Sequence, residues 1–345
     1  MATSTPARLP VTVVTGFLGA GKTTLLRHLL RRSGQRLAVL VNEFGDVGID
    51  GDLIAGCGFC PEEELEGRLV ELANGCLCCT VQEEFLPTME RLLERAGSLD
   101  GIVVETSGLA LPEPLVAAFG WPAIRTRTRV NAVVTVVDGE ALAAGHVVGD
   151  AEAVEQQRRA DPSLDHLTAL EDLFSDQLRA ADLVLVSRAD RLCGATLSRL
   201  SDNLREQLRP GTPVLPMTRG EVDPRLLLGA APARPEPEEE EEPHDHDHGH
   251  AAIRAVVVRR EDPWERERLE RRLRELLGEH PVLRLKGRLR QAGKRLPLQI
   301  QAVGSRLECW YEAGDPSAPE APALELVALC AAADAGRLEQ AFATL

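Results

Sequence analysis

The stretch VTVVTGFLGAGKTTLLRHLLRR, Val11–Arg32, decides the fold. It opens as an apolar run, Val11–Gly16, with the look of a buried strand. It closes as an amphipathic helical pattern from Lys22 onward. Between them Gly16, four further residues and then Gly21-Lys22-Thr23 match the phosphate-loop spacing. Glycines at these places let backbone N–H groups curl around phosphate oxygens, and the helix N-terminus adds potential favourable to anions. Lys22 is expected to reach the β- and γ-phosphates, and the Thr23 hydroxyl to ligate Mg²⁺. Lys22, Lys286 and Lys294 are the only lysines in the chain. One of them therefore stands where phosphate chemistry needs a compact point charge.

Further apolar runs follow: Leu37–Phe44, Gly101–Thr106, Asn131–Asp138, Ala181–Ser187 and Thr212–Met217. Helical patterns such as Lys22–Gly34 and Phe85–Gly97 lie between them. Continuous apolar strands alternating with helices predict an α/β fold, a mostly parallel sheet covered by helices. On such sheets ligands gather at the carboxyl ends of the strands. GIVVETSG, Gly101–Gly108, places Glu105 at such an end. There a carboxylate can hold Mg²⁺ through water, and the Gly108 N–H can approach a γ-phosphate. Lys22 and Glu105 are thus the catalytic candidates. LVLVSRAD ends in Ser187-Arg188-Ala189-Asp190, where a guanine-reading Asn-Lys-x-Asp would stand. Asp190 can accept the N1–H and N2–H of guanine, and the Arg188 guanidinium can stack on a base. Ser187 in place of Asn weakens the guanine signal, so GTP is the first reading and ATP the alternative.

The second concentration of chemistry is ANGCLCCTVQEEF, Ala73–Phe85, with Cys76, Cys78 and Cys79, preceded by Cys57 and Cys60 in CGFC. The N-terminus has no basic start followed by an apolar run, so no signal peptide is expected, and no segment approaches the length of a membrane span. The expected compartment is the cytoplasm, where close thiols are metal ligands or redox groups more often than disulfides. VELANG reads as a helix end stopped at Asn74-Gly75. Thr80 and Glu83 then form a capping box for the next helix. A cysteine connector against a helix N-terminus favours thiolates. Its thiolates can chelate one divalent ion, with a further ligand from water, Cys57, Cys60, or Glu43 at the end of LVNEF. An open position suits a site that hands metal on. A closed structural zinc knot using Cys57 and Cys60, and a redox pair, are the competing readings. Cys193, Cys309 and Cys330 read as small core or surface residues.

Net charge is −15 over 345 residues, and Pro235–His250, PEPEEEEEPHDHDHGH, supplies much of it. That segment reads as a low-complexity linker able to hold metal only loosely. Nothing in the chain resembles a nucleic-acid-binding protein. The expected organisation is a nucleotide domain over 1–225, the linker over 226–252 and an α+β domain over 253–345. In the last, Ala251–Arg260 reads as a strand, Pro263–His280 as a helix, Pro297–Glu312 as a strand pair and Ala323–Phe342 as a final helix.

GFLGAGKTT, GCLCC, ETSGLALPEPL and SRAD, in this order, resemble the CobW family of metal-handling P-loop GTPases. The likeness is strong over Leu9–Arg191 and fainter afterwards. It implies a GTPase domain of the SIMIBI kind with a smaller C-terminal domain. It implies a metallochaperone that delivers Co²⁺ to the aerobic cobaltochelatase for insertion into the corrin ring of cobalamin. A zinc chaperone of the same superfamily is the runner-up, and a nucleotide-regulated metal store or sensor is the reading from another class. By motif, Gly16, Phe17, Leu18, Gly19, Ala20, Gly21, Lys22, Thr23 and Thr24 bind phosphate and Mg²⁺, and Asp190 reads guanine. Cys76, Cys78 and Cys79 become metal ligands. The backbone of Cys79, Thr80, Val81 and Gln82 is implied to touch the nucleotide. With no water-positioning glutamine in view, hydrolysis is expected to be slow.

Overall fold

The structure is a computed structural model that describes residues 8–41, 69–71, 85–160, 169–228, 252–312 and 322–345. The chain divides into two compact units. One runs over Arg8–Arg209 and Val214–Leu228; the other holds the chain from Gly229 onward with Pro210–Pro213.

The first unit is built on strands β1 (Leu9–Thr15), β2 (Leu37–Val41), β3 (Leu69–Glu71), β4 (Gly101–Glu105), β5 (Thr128–Asp138), β6 (Leu183–Ser187) and β7 (Val214–Pro216). They form one sheet in the order β3-β2-β4-β1-β5-β6-β7, and every neighbouring pair is parallel. Its helices are α1 (Lys22–Arg32), α2 (Leu86–Glu94), α3 (Pro112–Ala118), α4 (Gly139–Ala143), α5 (Ala151–Ala160), α6 (Leu170–Ala180), α7 (Gly194–Gln207) and α8 (Pro224–Leu228). Val13, Leu40, Ile102 and Val133 gather with Met89 and Leu93 of α2 and Leu115 of α3. Val137, Val184 and Val186 gather with Phe174 and Leu178 of α6 and Leu200 of α7. The residues between them, Val14, Val103 and Val134, are just as buried, so the sheet is covered on both faces. Each such side chain contributes about 1.5–3 kcal/mol of burial. α8 lies against β1 and β5. There Thr12 Oγ1 and Asn131 Nδ2 both donate to the Leu227 carbonyl, at 2.8 and 2.6 Å.

The second unit carries β8 (Ile253–Arg260), β9 (Arg284–Leu289), β10 (Leu298–Val303), β11 (Arg306–Tyr311) and β12 (Leu324–Ala331), with helices α9 (Arg266–Glu279) and α10 (Ala335–Ala343). The sheet is antiparallel in the order β11-β10-β9-β12-β8. Leu269, Leu273 and Leu276 of α9 and Leu338 and Phe342 of α10 pack on Val256, Leu285, Ile300 and Leu326.

The parallel sheet, its helical cover and the smaller α+β unit are as expected; several elements differ. Ala323–Phe342 was expected as one helix. Its first part is instead β12, which pairs with β8 on one side and β9 on the other before α10 begins. Sheet partners on both sides outweigh the helical preference of an Ala- and Leu-rich run. Val70 and Glu71, expected at a helix end, lie in β3 and pair with Leu40 and Val41. β9 was not anticipated, and β5 begins at Thr128 rather than Asn131. The Thr80–Glu83 capping box falls outside the described residues. The described helix there is α2, with Phe85 as its N-cap residue, no side-chain cap and a proline in its first turn.

Candidate nucleotide site

The turn after β1 is shaped by its glycines. Gly16 has φ 134°, and a Cβ there would sit 2.1 Å from the Val136 carbonyl oxygen. Gly21, at φ 105°, is the N-cap residue of α1. No side chain caps that helix and no acidic residue stands in its first turn, so no side chain of the helix competes with an anion for its leading N–H groups. Lys22, only 6% exposed, turns back over the loop. Its Nζ donates to the Phe17 carbonyl at 3.2 Å and lies 3.7 Å from Glu105 Oε1. A buried ammonium needs such partners, and they hold it at the mouth of the loop. Thr23 is half-buried and Thr24 exposed on the first turn of α1; Leu18 and Gly19 are exposed and Ala20 is buried.

Glu105 reaches this point because β4 lies beside β1, with Val14 opposite Glu105. Past the strand end, Thr106 N–H donates to the Val14 carbonyl at 2.9 Å and Thr106 Oγ1 bonds Thr15 Oγ1 at 2.9 Å. The next turn closes with Ala110 N–H on the Ser107 carbonyl at 3.1 Å. Gly108 in that turn approaches so closely that a Cβ would lie 2.5 Å from the Leu18 nitrogen. The turn and the phosphate loop therefore touch through backbone. α6 braces both. Phe174 stacks on Phe17 with ring centroids 6.2 Å apart, and Gln177 Nε2 donates to the Gly108 and Ala110 carbonyls at 3.1 and 3.3 Å.

The base side lies past β6. Ser187 is buried, its Oγ has no hydrogen-bond partner, and it faces Gly21. An unsatisfied buried hydroxyl beside the phosphate loop fits a ligand that brings its own hydrogen-bonding groups. Arg188 holds φ 54°, in the left-handed region. Its guanidinium, which can stack on a base, donates here from Nη2 to the Gly19 carbonyl at 2.9 Å and pairs through Nη1 with Asp138. Asp138 sits opposite Ser187 in the β5–β6 register and is 6% exposed, which places its charge within reach of Arg188. Asp138 also caps α4 through the Glu140 and Ala141 N–H groups, at 3.0 and 3.2 Å. Asp190 stands exposed in the turn Ala189–Arg191.

Lys22, Glu105, Gly108, Ser187 and Arg188 are thus gathered around the phosphate loop. Glu43, Cys76, Cys78, Cys79, Thr80, Val81 and Gln82 lie outside the described residues, as do Cys57, Cys60 and the acidic, His-rich segment. Val41 and Glu71 are the described residues that precede Glu43 and the cysteines in sequence, at the carboxyl ends of β2 and β3. Val41 is the register partner of both Glu105 and Glu71. Among the described residues no group of three or more His, Cys, Asp and Glu side chains could hold a metal ion, and no helix is long and apolar enough to cross a membrane. Cys193 is exposed, and bonds from the Thr196 hydroxyl and backbone hold its thiol below the ordinary value. Burial pushes the Cys309 thiol up to about 12 and also raises that of Cys330. Asp138 and Gln177 were missed from sequence. Asp138 closes an apolar strand as Glu105 does, which was the available signal; nothing local marks Gln177.

Residues 10–216 match the family described as CobW/HypB/UreG, nucleotide-binding domain, and residues 253–345 match the cobalamin synthesis protein cobW C-terminal domain. The chain is 49% identical over 320 residues to a protein of Pseudomonas aeruginosa named zinc chaperone CobW, covering 89% of this chain and 84% of that one. It is 41% identical over 313 residues to a zinc chaperone CobW of Sinorhizobium, covering 88% of each. A crystal structure of Zn(II)-bound YjiA GTPase from E. coli aligns over 99% of both chains with 24% identity and a TM-score of 0.42.

Proposed function

Because this chain belongs to the CobW/HypB/UreG family of nucleotide-binding proteins, we propose that it is a GTP-dependent metal chaperone whose thiolate site is completed when nucleotide binds. One observation carries the reading. The Lys22–Glu105 pair of the phosphate loop sits at the same sheet edge from which the chain departs toward Glu43 and toward Cys76, Cys78 and Cys79. Cys76 follows Glu71 closely enough that even an extended chain keeps it within about 17 Å of that residue.

In this reading Lys22 carries the β- and γ-phosphates, and the Gly108 N–H meets the γ-phosphate. Thr23 and Glu105 hold Mg²⁺, which neutralises charge developing on the phosphates. Asp190 accepts from guanine, so the nucleotide is GTP. The backbone of Cys79, Thr80, Val81 and Gln82 lies against it. Ordering of that segment by GTP gathers Cys76, Cys78 and Cys79, with Glu43, around the cargo ion; hydrolysis, slow without a positioned water, loosens them. Linkage then requires the metal to tighten GTP binding by the same factor.

Zinc is the cargo taken first. The two relatives named above carry zinc in their names across most of this chain's length, and zinc suits thiolate donors. Co²⁺ destined for the aerobic cobaltochelatase is the second reading, favoured by the match of residues 253–345 to the cobalamin synthesis protein cobW C-terminal domain. The protein works in the cytoplasm, where these thiols stay reduced.

The test is a competition titration of Zn²⁺ and Co²⁺ into reduced protein with Mg²⁺–GTP, with Mg²⁺–GDP and without nucleotide. Metal should bind at least about tenfold tighter with GTP, a coupling of roughly 1.4 kcal/mol. Cobalt should then show intense thiolate charge-transfer absorption, lost in Cys78→Ser or Cys79→Ser. Equal metal affinity in all three nucleotide states would refute the gating and leave a storage or structural site.

A further inference from the structure

Gln177 stands on α6, outside every sequence motif of the nucleotide site, and it is fully buried. Its Nε2 donates to the carbonyls of Gly108 and Ala110, at 3.1 and 3.3 Å. Two acceptors facing one atom identify that atom as the amide nitrogen. Its Oε1 has no hydrogen-bond partner. Its own backbone carbonyl accepts from Thr135 Oγ1 at 3.0 Å, which fixes this turn of α6 to β5. A methionine of similar volume would fill the space without leaving an unsatisfied oxygen, so packing does not by itself call for an amide.

We propose that Gln177 is the positioning residue of the γ-phosphate-reading turn, and that it sets the preference of this protein for nucleoside triphosphate over diphosphate. The turn Ser107–Ala110 is closed by its own hydrogen bond and pressed by Gly108 against the Leu18 nitrogen. Gln177 clamps it from behind by two carbonyls, which fixes the planes of the peptides that follow Gly108 and Ala110. The inference rests on the reading of this site as a GTP site, in which only the third phosphate touches the turn. The first two phosphates are held by the loop Gly16–Thr23, and that loop is braced by a different residue of the same helix, Phe174 on Phe17. Two side chains on one face of α6, three residues apart, thus serve the two nucleotide-reading loops separately.

That separation makes the inference testable. Gln177→Met and Phe174→Leu are compared with the unmodified chain in titrations of fluorescent GDP and of a non-hydrolysable GTP analogue, each with Mg²⁺. Gln177→Met should lose about tenfold in affinity for the GTP analogue while its affinity for GDP stays within about twofold. Phe174→Leu should weaken both nucleotides in the same proportion. A change that is merely structural moves both affinities together. Equal losses in Gln177→Met, or no loss, with the unmodified chain binding normally, therefore overturn the role of Gln177 alone. An unmodified chain that binds neither nucleotide overturns the nucleotide site and this inference with it. Amide hydrogen exchange on the unmodified chain gives an independent reading should the methionine variant not fold. The segment Gly108–Leu111 and the α6 turn holding Gln177 should slow together with the GTP analogue and not with GDP. Slowing of one without the other contradicts the clamp.

Discussion

Gly108→Ala is the sharpest perturbation that the fold offers, because a single methyl group falls between two backbones. Its Cβ would lie 2.5 Å from the Leu18 nitrogen, 3.1 Å from the Phe17 carbonyl carbon and 3.2 Å from the Leu18 Cα. Carbon contacts become favourable only at about 3.5 Å, so the turn and the phosphate loop must separate by roughly 1 Å. Neither surface can rotate away, since both are main chain. Overpacking of this kind costs about 1–3 kcal/mol. For a unit of about 200 residues that lowers the melting temperature by about 2–12 °C. The effect on function is larger, because a displacement of about 1 Å at a reacting group can cost about 10²-fold. Thermal melting and single-turnover GTP hydrolysis measure the two losses. Gly97→Ala is the control, as its Cβ meets no heavy atom within 4 Å. A Gly108→Ala protein that melts within about 1 °C of the parent and hydrolyses GTP at the parent rate would refute the contact.

Three further outcomes are expected. Lys22→Ala should abolish measurable Mg²⁺–nucleotide binding in calorimetry, whereas Asp190→Ala should keep binding and erase the preference for GTP over ATP; equal affinity for both nucleotides in the parent chain contradicts the guanine assignment. Among the described thiols, alkylation followed by peptide mass mapping should mark Cys193 first, with a pH midpoint below the usual thiol value of 9.0, while Cys309 should stay unreactive until far more alkaline pH, its thiol lying at about 12. Labelling of Cys309 ahead of Cys193 would contradict the burial argument.

The first unit was largely legible from sequence because each strand buried on both faces writes a continuous apolar run, as Val11–Thr15 and Leu183–Ser187 do. The phosphate loop was legible because its glycines answer to fixed steric demands, such as the carbonyl beside Gly16. β9 was not, since Arg284, Lys286 and Arg288 alternate with Leu285, Gly287 and Leu289 in a run that reads as a charged loop. Only the antiparallel partners β10 and β12 show the alternation to be a sheet face. The Arg188 pairing with Asp138 was not legible either. The distance of Arg188 in sequence from Asp138 hid a pairing that the β5–β6 register brings within reach. Gln177 lies further still from the turn it holds, and helical periodicity marks it only as another residue of a buried stripe.

The burial of Lys22 has a consequence for covalent chemistry. Lys22, Lys286 and Lys294 are the only lysines, so the nucleotide-binding unit presents one ε-amine, and that amine is folded back onto the Phe17 carbonyl at 6% exposure. Acetylation, succinylation or ubiquitin transfer on lysine has no other address in this unit. Arginine, which carries the rest of its positive charge, is not a substrate for any of them. In the proposed site this amine carries nucleotide phosphate, so bound nucleotide should shield it from acyl donors. Amine acylation of this unit should therefore mark its empty state.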